Sequence, residues 1–223
     1  MSPPRRSLFV AALLLGASPA AAASSDAQFW TTLTANVAFS DRWSGQADSV
    51  SRFSDDDDGL YELRYGAFVG YKITRSATVS VGYTRVHRYI DGRTRTEERP
   101  RQQIAVGFGK IAGAATSGRL RLEQRIRAGG GIGWRLRPQV RAAWPLGKSG
   151  VAAVLSHESF FAFNDTRSGQ RAGYERMRNF AGVSVPVSKI VKAELGYLNQ
   201  YDFRRGRPDA VAHVGSLALT ASW

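Results

Sequence analysis

Residues 60–72 read LYELRYGAFVGYK, with a bulky apolar or aromatic side chain at almost every second position. One set of alternate positions carries Tyr61, Leu63, Tyr65, Ala67, Val69 and Tyr71, and the other carries Glu62, Arg64, Gly66, Phe68, Gly70 and Lys72. Successive side chains of a β-strand point to opposite faces, so this period of two predicts a strand. A strand of this length is long for a soluble sheet.

The same alternation recurs along the chain. It predicts strands at 27–39, 43–53, 60–72, 77–89, 101–110, 119–127, 133–144, 151–163, 174–186, 190–201 and 210–223. Bacterial barrels made of one chain normally have an even number of strands, so we expect roughly 10 or 12 here, with the smaller number preferred. Either 27–39 is then not a full wall strand, or two strands are merged elsewhere. Pro138 lacks a ladder donor and predicts a bulge in its strand.

Two architectures use such strands: a soluble barrel or sandwich with the apolar face inside, and a membrane barrel with that face outside. The face opposite the bulky apolar residues collects glycine, at Gly66, Gly70, Gly82, Gly107, Gly109, Gly182 and Gly196. In a narrow interior crowded with long Arg and Glu side chains, glycine leaves space for them. The outer face of a soluble barrel has no such crowding and no reason to collect glycine. The pattern favours an all-β, antiparallel, transmembrane up-and-down β-barrel.

The connections between the predicted strands differ in length. Short turns are expected at 73–76, 147–150 and 187–189, and longer polar loops at 54–59, 90–100, 164–173 and 202–209. Periplasmic turns and longer extracellular loops are typical of outer-membrane barrels. The acidic run Asp55–Asp58 is interpreted as a solvated loop tip, with divalent-ion bridging to lipopolysaccharide phosphates as the alternative. The basic residues Arg93, Arg95, Arg99 and Arg101 are expected to meet such phosphates from a loop.

The amino-terminal residues 1–23 read MSPPRRSLFVAALLLGASPAAAA. Two arginines, a short apolar run and small residues before position 24 are typical of a cleaved signal peptide. The apolar run is too short for a spanning helix, which needs about 20 residues. We therefore expect export to the outer membrane of a Gram-negative bacterium, with residues 24–223 forming one barrel domain.

Aromatic residues and the last strand carry two further predictions. Trp134 and Trp144 lie ten residues apart on one face, about the separation of the two aromatic girdles of a membrane barrel, and Tyr71 and Tyr83 are assigned to the same girdles. Leu217, Leu219 and Trp223 end the chain on one face and are interpreted as a signal for the barrel assembly machinery. Expected partners are this machinery, periplasmic chaperones in transit, outer-membrane lipids and lipopolysaccharide.

Several segments resemble the DUF2490 family of outer-membrane proteins. They are Phe29-Trp30, Asp41-Arg42-Trp43, Gly82-Tyr83, the RLRLEQR segment at 119–125, Glu158-Ser159-Phe160-Phe161, Arg178, Gly182, the GYLNQ segment at 196–200 and the closing strand with His213. The resemblance covers nearly the whole chain after residue 23. It implies a barrel of unknown function and transfers no catalytic residues.

Charge suggests what the barrel interior contains. The chain has 223 residues, no Cys and a formal net charge of +13, and the absence of Cys excludes disulfides and thiolate metal sites. Two neighbouring strands direct one charge cluster to the polar face: Arg119, Arg121, Glu123, Arg125, Arg127, Arg135, Arg137 and Arg141. Either these arginines pair with carboxylates and fill a structural barrel, or they line a narrow pore and bind or pass small anions. No cofactor, metal or nucleic acid is expected.

An enzyme is the alternative class of function. His157 and Ser159 are two residues apart and so share one face of a strand, on which His could act as base for a Ser nucleophile. Glu175 is the candidate carboxylate that would orient the histidine. This arrangement is similar to that of outer-membrane lipid A deacylases. We nevertheless expect a barrel without catalytic activity and keep the deacylase as the alternative.

Overall fold

The computed structural model describes residues 23–57 and 59–223. It contains β1 (Ser24–Ala38), β2 (Trp43–Ser54), β3 (Gly59–Lys72), β4 (Ala77–Ile90), β5 (Arg93–Ile111), β6 (Ala114–Arg127), β7 (Gly131–Pro145), β8 (Ala152–Ala162), β9 (Gly173–Pro186), β10 (Val191–Asp202) and β11 (Ala210–Ser222). These strands form one closed barrel. The all-β prediction is confirmed, and all eleven predicted segments are strands. The predicted signal peptide at 1–23, apart from its last residue, and Asp58 lie outside the described residues.

Eleven strands close the barrel, so the expectation of an even number was wrong. The segment predicted at 27–39 is a full wall strand, β1, which pairs with β2 on one side and with β11 on the other. Strands consecutive in the chain are antiparallel, and an odd number of them makes the first and last strands run in the same direction. The β1–β11 pair is accordingly parallel, from Ser24 opposite Ala210 to Asn36 opposite Ser222.

The two ends of the barrel differ. At one, here called the turn end, short connections join β1–β2, β3–β4, β5–β6, β7–β8 and β9–β10. At the other, the loop end, the connections 163–172 and 203–209 are longer, whereas those between β2 and β3, β4 and β5, and β6 and β7 are as short as the turns. The predicted loop at 90–100 is absent, because β4 and β5 continue to a tight turn at Asp91 and Gly92, both with positive φ. The chain enters β1 at the loop end, where Ser24 N donates to Asp209 O at 3.1 Å.

Bulges occur at other places than the sequence predicted. The register shifts between Arg52 and Phe53, between Gly107 and Gly109, and between Phe160 and Phe161. At Pro138 the β6–β7 register continues, and the β7–β8 register is the same before and after it. The missing N–H of Pro138 therefore costs local ladder pairing without inserting a residue.

Side chains alternate between a crowded interior and an apolar outer surface. Leu33, Val81 and Val140 are among the bulky residues exposed on the outside, whereas Glu62 and Glu123 are fully buried inside. Gly182 and Gly196 lie directly opposite each other, and a Cβ on Gly196 would come within 2.3 Å of the Ala181 carbonyl oxygen. Gly107, by contrast, has open space around it. Within the described residues, no helix is long and apolar enough to cross a membrane.

Candidate functional site

The barrel interior holds a network of ion pairs between arginines and carboxylates. Among the described residues, thirteen inward-facing arginines contact eight carboxylates. The arginines are Arg52, Arg64, Arg88, Arg99, Arg101, Arg119, Arg125, Arg127, Arg135, Arg137, Arg141, Arg176 and Arg178. The carboxylates belong to Asp48, Glu62, Glu97, Glu123, Glu158, Glu175, Glu194 and Asp202. Several carboxylates therefore serve more than one guanidinium group.

Glu123 on β6 joins two arginines of β7. Its two oxygens accept from Arg135 Nη2 at 2.5 Å and from Arg137 Nη1 at 2.6 Å, and its exposed fraction is 0%. Arg137 continues the chain of contacts, because its Nη2 donates to Glu158 Oε1 on β8 at 2.8 Å. Charge-assisted bonds of this kind are the strong members of a hydrogen-bond network. The network thus ties β6, β7 and β8 together across the interior.

Glu62 and Glu97 are hubs of the same kind nearer the loop end. Glu97 contacts Arg99 at 2.5 Å, Arg125 at 2.7 Å and Arg127 at 2.5 Å. Glu62 contacts Arg88 at 2.7 Å and Arg52 at 3.2 Å, and it also binds Arg64. Because one carboxylate contacts three guanidinium groups at each of these positions, it does not neutralise all of their positive charge. This surplus distinguishes the interior from a set of matched ion pairs.

Aromatic rings pack between the guanidinium groups. The buried ring of Phe160 has Arg137 and Arg178 at 4.6 and 4.7 Å from its centre. Trp30 carries the Arg52 guanidinium at 3.6 Å. A cation over an aromatic face is attracted by the ring quadrupole. The sequence analysis did not predict that inward aromatic rings pack against arginines. The position of Phe68 on the polar face of 60–72 was the one indication of it.

The structure directs every member of the predicted charge cluster to the interior but divides them by depth. Arg121, Glu123, Arg125, Arg135 and Arg137 are buried, while Arg119 and Arg127 are half-buried. Arg141 lies apart from them towards the turn end, where it pairs with Glu194.

Two arginines were placed wrongly by the sequence. Arg99 and Arg101 were expected in a loop that meets lipopolysaccharide phosphates, but they are 3% and 5% exposed inside the barrel on β5. Glu97, Arg99, Arg101 and Gln103 occupy alternate positions of β5, and all four side chains therefore point into the barrel. This period of two could have predicted the strand from the sequence, but so many charged residues in a row are more typical of a solvated loop.

Arg121 differs from the other buried arginines. Its Nε and Nη2 donate to the amide oxygen of Gln103 at 2.9 and 2.7 Å, and it contacts no carboxylate among the described residues. With Arg121, the described interior has fourteen arginines, and eight carboxylates contact them. The arginines therefore exceed these carboxylates by six. Asp26, Asp56, Asp57 and Arg204 line a loop-end cavity with Arg52, Arg88 and Arg176, and counting these four residues leaves an excess of four. A buried charge without a partner is strongly unfavourable, so this excess calls for counter-anions.

Three cavities lie in the barrel interior. The central chamber, of about 360 Å³, is lined by Thr32, Thr84, Arg101, Arg119 and Arg121 together with residues of most other strands. The vestibule, of about 450 Å³, lies at the loop end and includes Arg204, Arg205 and Arg207. These two share no lining residue, but a third cavity at the loop end, of about 380 Å³, shares Arg52 with the chamber and Arg88 and Arg176 with the vestibule. Glu62, Glu123 and Phe160, each 1% exposed or less, form a buried layer in which Glu62 lines the third cavity and Glu123 the central chamber.

The predicted girdle aromatics lie on the outer surface. Trp134 is exposed near the loop end, whereas Tyr83 is exposed midway along β4 and not at an end as predicted. Tyr71 packs against Trp43 at the turn end, with ring centres 4.9 Å apart, and Trp144 Nε1 donates to Ala112 O at 3.1 Å. Of the proposed assembly signal, Leu219 and Trp223 are exposed and Leu217 is half-buried, at the turn end of β11.

A polar network on the outer surface contains His157 and Ser159. His157 Nε2 lies 2.9 Å from Ser159 Oγ, and its Nδ1 lies 2.7 Å from Asn179 Oδ1. Tyr174 OH lies 3.1 Å from the same Ser159 Oγ. Glu175 cannot orient this histidine as predicted, because the bulge at Phe160 turns it inward to Arg135, at 2.7 Å. Asn179 occupies that position instead.

The loop end carries acidic residues outside the barrel network. Asp165 accepts from Ala172 N at 2.7 Å, and this bond, followed by the charge of Arg171, holds the pKa of Asp165 below its ordinary value. Burial, and then repulsion from Asp26, Asp56 and Asp91, raises the pKa of Asp57. Among the described residues, no group of three His, Asp or Glu side chains is arranged to hold a metal ion.

Comparison with known proteins identifies the family. The model of a protein family of unknown function, DUF2490, matches residues 27–211. The chain belongs to the DUF2490 family. An uncharacterized protein of Methylorubrum extorquens is 38% identical over 155 residues, which cover 68% of this chain and 68% of that protein. No solved structure matches.

Proposed function

We propose that this DUF2490 chain is an outer-membrane barrel whose basic interior binds small anions and is closed to their free flow. The observation that carries the proposal is the excess of interior arginines over carboxylates, with Arg121 buried against a neutral amide. Desolvated cations need negative partners, and the chain supplies too few of them. Small anions from solution complete the balance.

The outer surface supports a membrane location. Its exposed residues are bulky and apolar in the middle of the strands, among them Leu33, Val81 and Leu155. An exposed apolar surface of this extent is unfavourable in water and matches acyl chains, and polar groups on the same surface, such as Arg85 with Glu98 and His157 with Asn179, pair with one another. Trp43 and Trp144 near the turn end and Trp134 near the loop end fit the positions of two interfacial girdles.

We base closure on the side-chain packing of the barrel interior. Glu62, Glu123 and Phe160 are almost completely buried, and arginines contact all three. Packing of this density, held by charge-assisted bonds, opposes the passage of a hydrated ion. We therefore propose binding rather than conduction, with the loop end outside the cell and the turn end in the periplasm.

Partners follow from this placement. The outer surface faces outer-membrane lipids, and the loop end meets lipopolysaccharide. Leu217, Leu219 and Trp223 at the turn end face the periplasm, where chaperones and the assembly machinery act. We assign no nucleic-acid partner, because an exported barrel presents its basic residues to its own interior.

Two measurements test the proposal. Outer-membrane fractionation with heat-dependent gel mobility is expected to show a folded barrel in the membrane fraction; a single band in the soluble fraction would reject the membrane location. Because a ligand that binds only the folded state stabilises it, the melting temperature of the micelle-folded chain should rise with anion concentration at fixed ionic strength. Exchange of sodium for potassium serves as the control. Equal melting temperatures in all anions would reject anion binding.

A second candidate function rests on the outer-surface network at Ser159. When Asn179 Oδ1 accepts from His157 Nδ1–H, the lone pair of Nε2 faces the Ser159 hydroxyl, as general-base catalysis requires. An apolar groove of about 660 Å³, lined by Leu155, His157 and Asn179 among others, would hold an acyl chain. Ser159 Oγ would attack the ester carbonyl, and the leaving alcohol would take the proton from His157. Water would then release the fatty acid from the serine.

Fatty-acid release from lipid A vesicles tests this candidate. The Ser159→Ala and His157→Asn variants should abolish release, whereas His87→Asn should not affect it. His87 is the matched control because it also lies on the outer surface, bonded to Tyr65 OH at 3.1 Å and without a serine. Equal release by the wild type and Ser159→Ala, or none by either, removes the esterase from consideration.

A further inference from the structure

One chamber collects polar atoms that the described chain leaves without partners. Four buried side-chain atoms have no hydrogen-bond partner in residues 23–57 and 59–223: Arg52 Nε, Thr84 Oγ1, Arg101 Nε and Arg119 Nε. All four residues line the central chamber. Buried polar atoms in folded proteins are nearly always satisfied by protein, solvent or a ligand. Their coincidence at one cavity marks it as a place where something polar binds.

Charge decides what kind of partner fits. Arg121 lines the same chamber and is bonded to the neutral Gln103. Eight arginines, among them Arg101, Arg119 and Arg137, and four carboxylates line this chamber, so like charges surround Arg121. Water would satisfy the hydrogen bonds but would leave this repulsion in place. An anion satisfies both.

The donors lie close together. The Arg101 and Arg121 guanidinium groups both lie over the Phe68 ring, at 4.2 and 5.1 Å from its centre. A Cβ added to Gly66 would lie 2.4 Å from Thr84 Oγ1 and 3.0 Å from Arg101 Nη2. The Thr84 hydroxyl and Arg101 are thus neighbours beside a glycine that leaves them room.

We propose that the central chamber binds a small tetrahedral oxyanion with two negative charges, held by Arg121, Arg101, Arg119 and Thr84. This inference rests on the proposed anion-binding function and adds its location and ligand class. A guanidinium fork engages two oxygens at once, which a single halide centre cannot offer. The chamber volume of about 360 Å³ admits phosphate or sulfate with some hydration, since a water takes roughly 30 Å³.

The chamber is reached from the turn end. Thr32 and Thr34 follow Trp30 as the next inward positions of β1 towards the turn end, and both line the chamber. Ser156 and Ser216 line it as well. Small side chains leave space on this side, whereas the layer of Glu62, Glu123 and Phe160 closes the other. In the proposed orientation the oxyanion enters from the periplasm.

Calorimetric titration of the full chain, folded in detergent micelles, tests the site. Sodium phosphate and sodium sulfate should each bind at one site. Sodium chloride should bind with an affinity lower by roughly tenfold or more. Arg121→Gln should weaken phosphate binding by about tenfold or more, and Thr84→Val by a smaller factor. Arg85→Gln, which removes the same charge from an outer-surface pair with Glu98, should leave it unchanged. Glycerol phosphate in place of phosphate distinguishes an esterified ligand from a free one.

Each other outcome has a defined meaning. Phosphate binding that survives Arg121→Gln and Thr84→Val but is lost in Arg205→Gln places the anion in the vestibule; it overturns the chamber site and leaves the proposed function standing. No binding of any anion, with no change in melting temperature, overturns both, and the chamber then holds water only. If Arg121→Gln does not fold, Thr84→Val decides, because it preserves size and charge: unchanged phosphate affinity overturns the site.

Discussion

Arg121 is buried against Gln103, whose amide oxygen accepts two hydrogen bonds from its guanidinium group, at 2.9 and 2.7 Å. The other thirteen interior arginines contact a carboxylate, so this pair marks where the carboxylates run out. Among the described residues, the interior is a charged core in which the arginines outnumber the carboxylates that contact them.

A carboxylate in place of the Gln103 amide should replace the bound anion. In Gln103→Glu the new carboxylate can accept the same two bonds as a bidentate ion pair. We expect a higher melting temperature in anion-poor buffer and phosphate affinity lower by about tenfold or more, because the excess charge is now neutralised internally. Thermal unfolding with and without phosphate measures both effects. Unchanged phosphate stabilisation would contradict the account; Gln102→Glu, on the outer surface beside Gln124, is the control.

Removal of the carboxylate at Glu123 should be among the most damaging single changes. Glu123→Gln leaves Arg135 and Arg137 without their shared partner in a buried layer. Loss of one member of a buried ion pair costs about 3–5 kcal/mol. Urea unfolding in micelles, followed by heat-dependent gel mobility, measures the loss. Arg171→Gln, which removes an exposed ion pair with Asp165 in the β8–β9 loop, should cost about 0–1 kcal/mol, and equal effects of the two changes would argue against a buried network.

Two glycines on inward positions should respond differently to alanine. In Gly196→Ala the new Cβ meets the Ala181 carbonyl oxygen at 2.3 Å and the Phe180 ring at 2.9 Å. Such overpacking costs about 1–3 kcal/mol. In Gly107→Ala nothing lies nearer than 3.9 Å, so we expect almost no change. Comparison of the two urea midpoints is the test, and similar midpoints would show that the interior is looser than described.

The parallel closing pair places the start of β1 and the end of β11 at opposite ends of the barrel, and therefore, in the proposed orientation, on opposite sides of the membrane. Because the chain has no Cys, single cysteines can be labelled in intact cells with a membrane-impermeant maleimide. Ser25→Cys at the start of β1 and Arg167→Cys in the β8–β9 loop should both be labelled. Lys189→Cys in the β9–β10 turn should react only after cell lysis. Labelling of Lys189→Cys but not Arg167→Cys in intact cells would reverse the proposed orientation, and labelling of Ser25→Cys only after lysis would contradict the parallel closure.

Much of the fold was accessible from the sequence because the period of two is a local property. Tyr65 and Val69 point outward and Glu62 points inward as the alternation predicts. The strand number was mispredicted because the preference for an even number outweighed a direct count that included β1. The start of β5 was missed because Glu97, Arg99 and Arg101 look like a solvated loop, and only a closed barrel supplies the partners that bury them. The sharing of carboxylates among arginines, and the filling role of Phe160, depend on contacts across the barrel that no spacing along the chain encodes.

The direction in which side chains project, inside or outside a membrane-embedded wall, is the claim on which the rest depends. Fluorescence of single-Trp variants in vesicles of brominated phosphatidylcholine measures it most directly, with the other four tryptophans replaced by Phe. The Trp134-only variant should be strongly quenched by the brominated chains, because Trp134 is exposed on the outer surface. The Trp30-only variant should be little affected, because Trp30 is buried under Arg52 inside the barrel. Equal quenching of both, or protein that remains in the aqueous phase, would contradict the account.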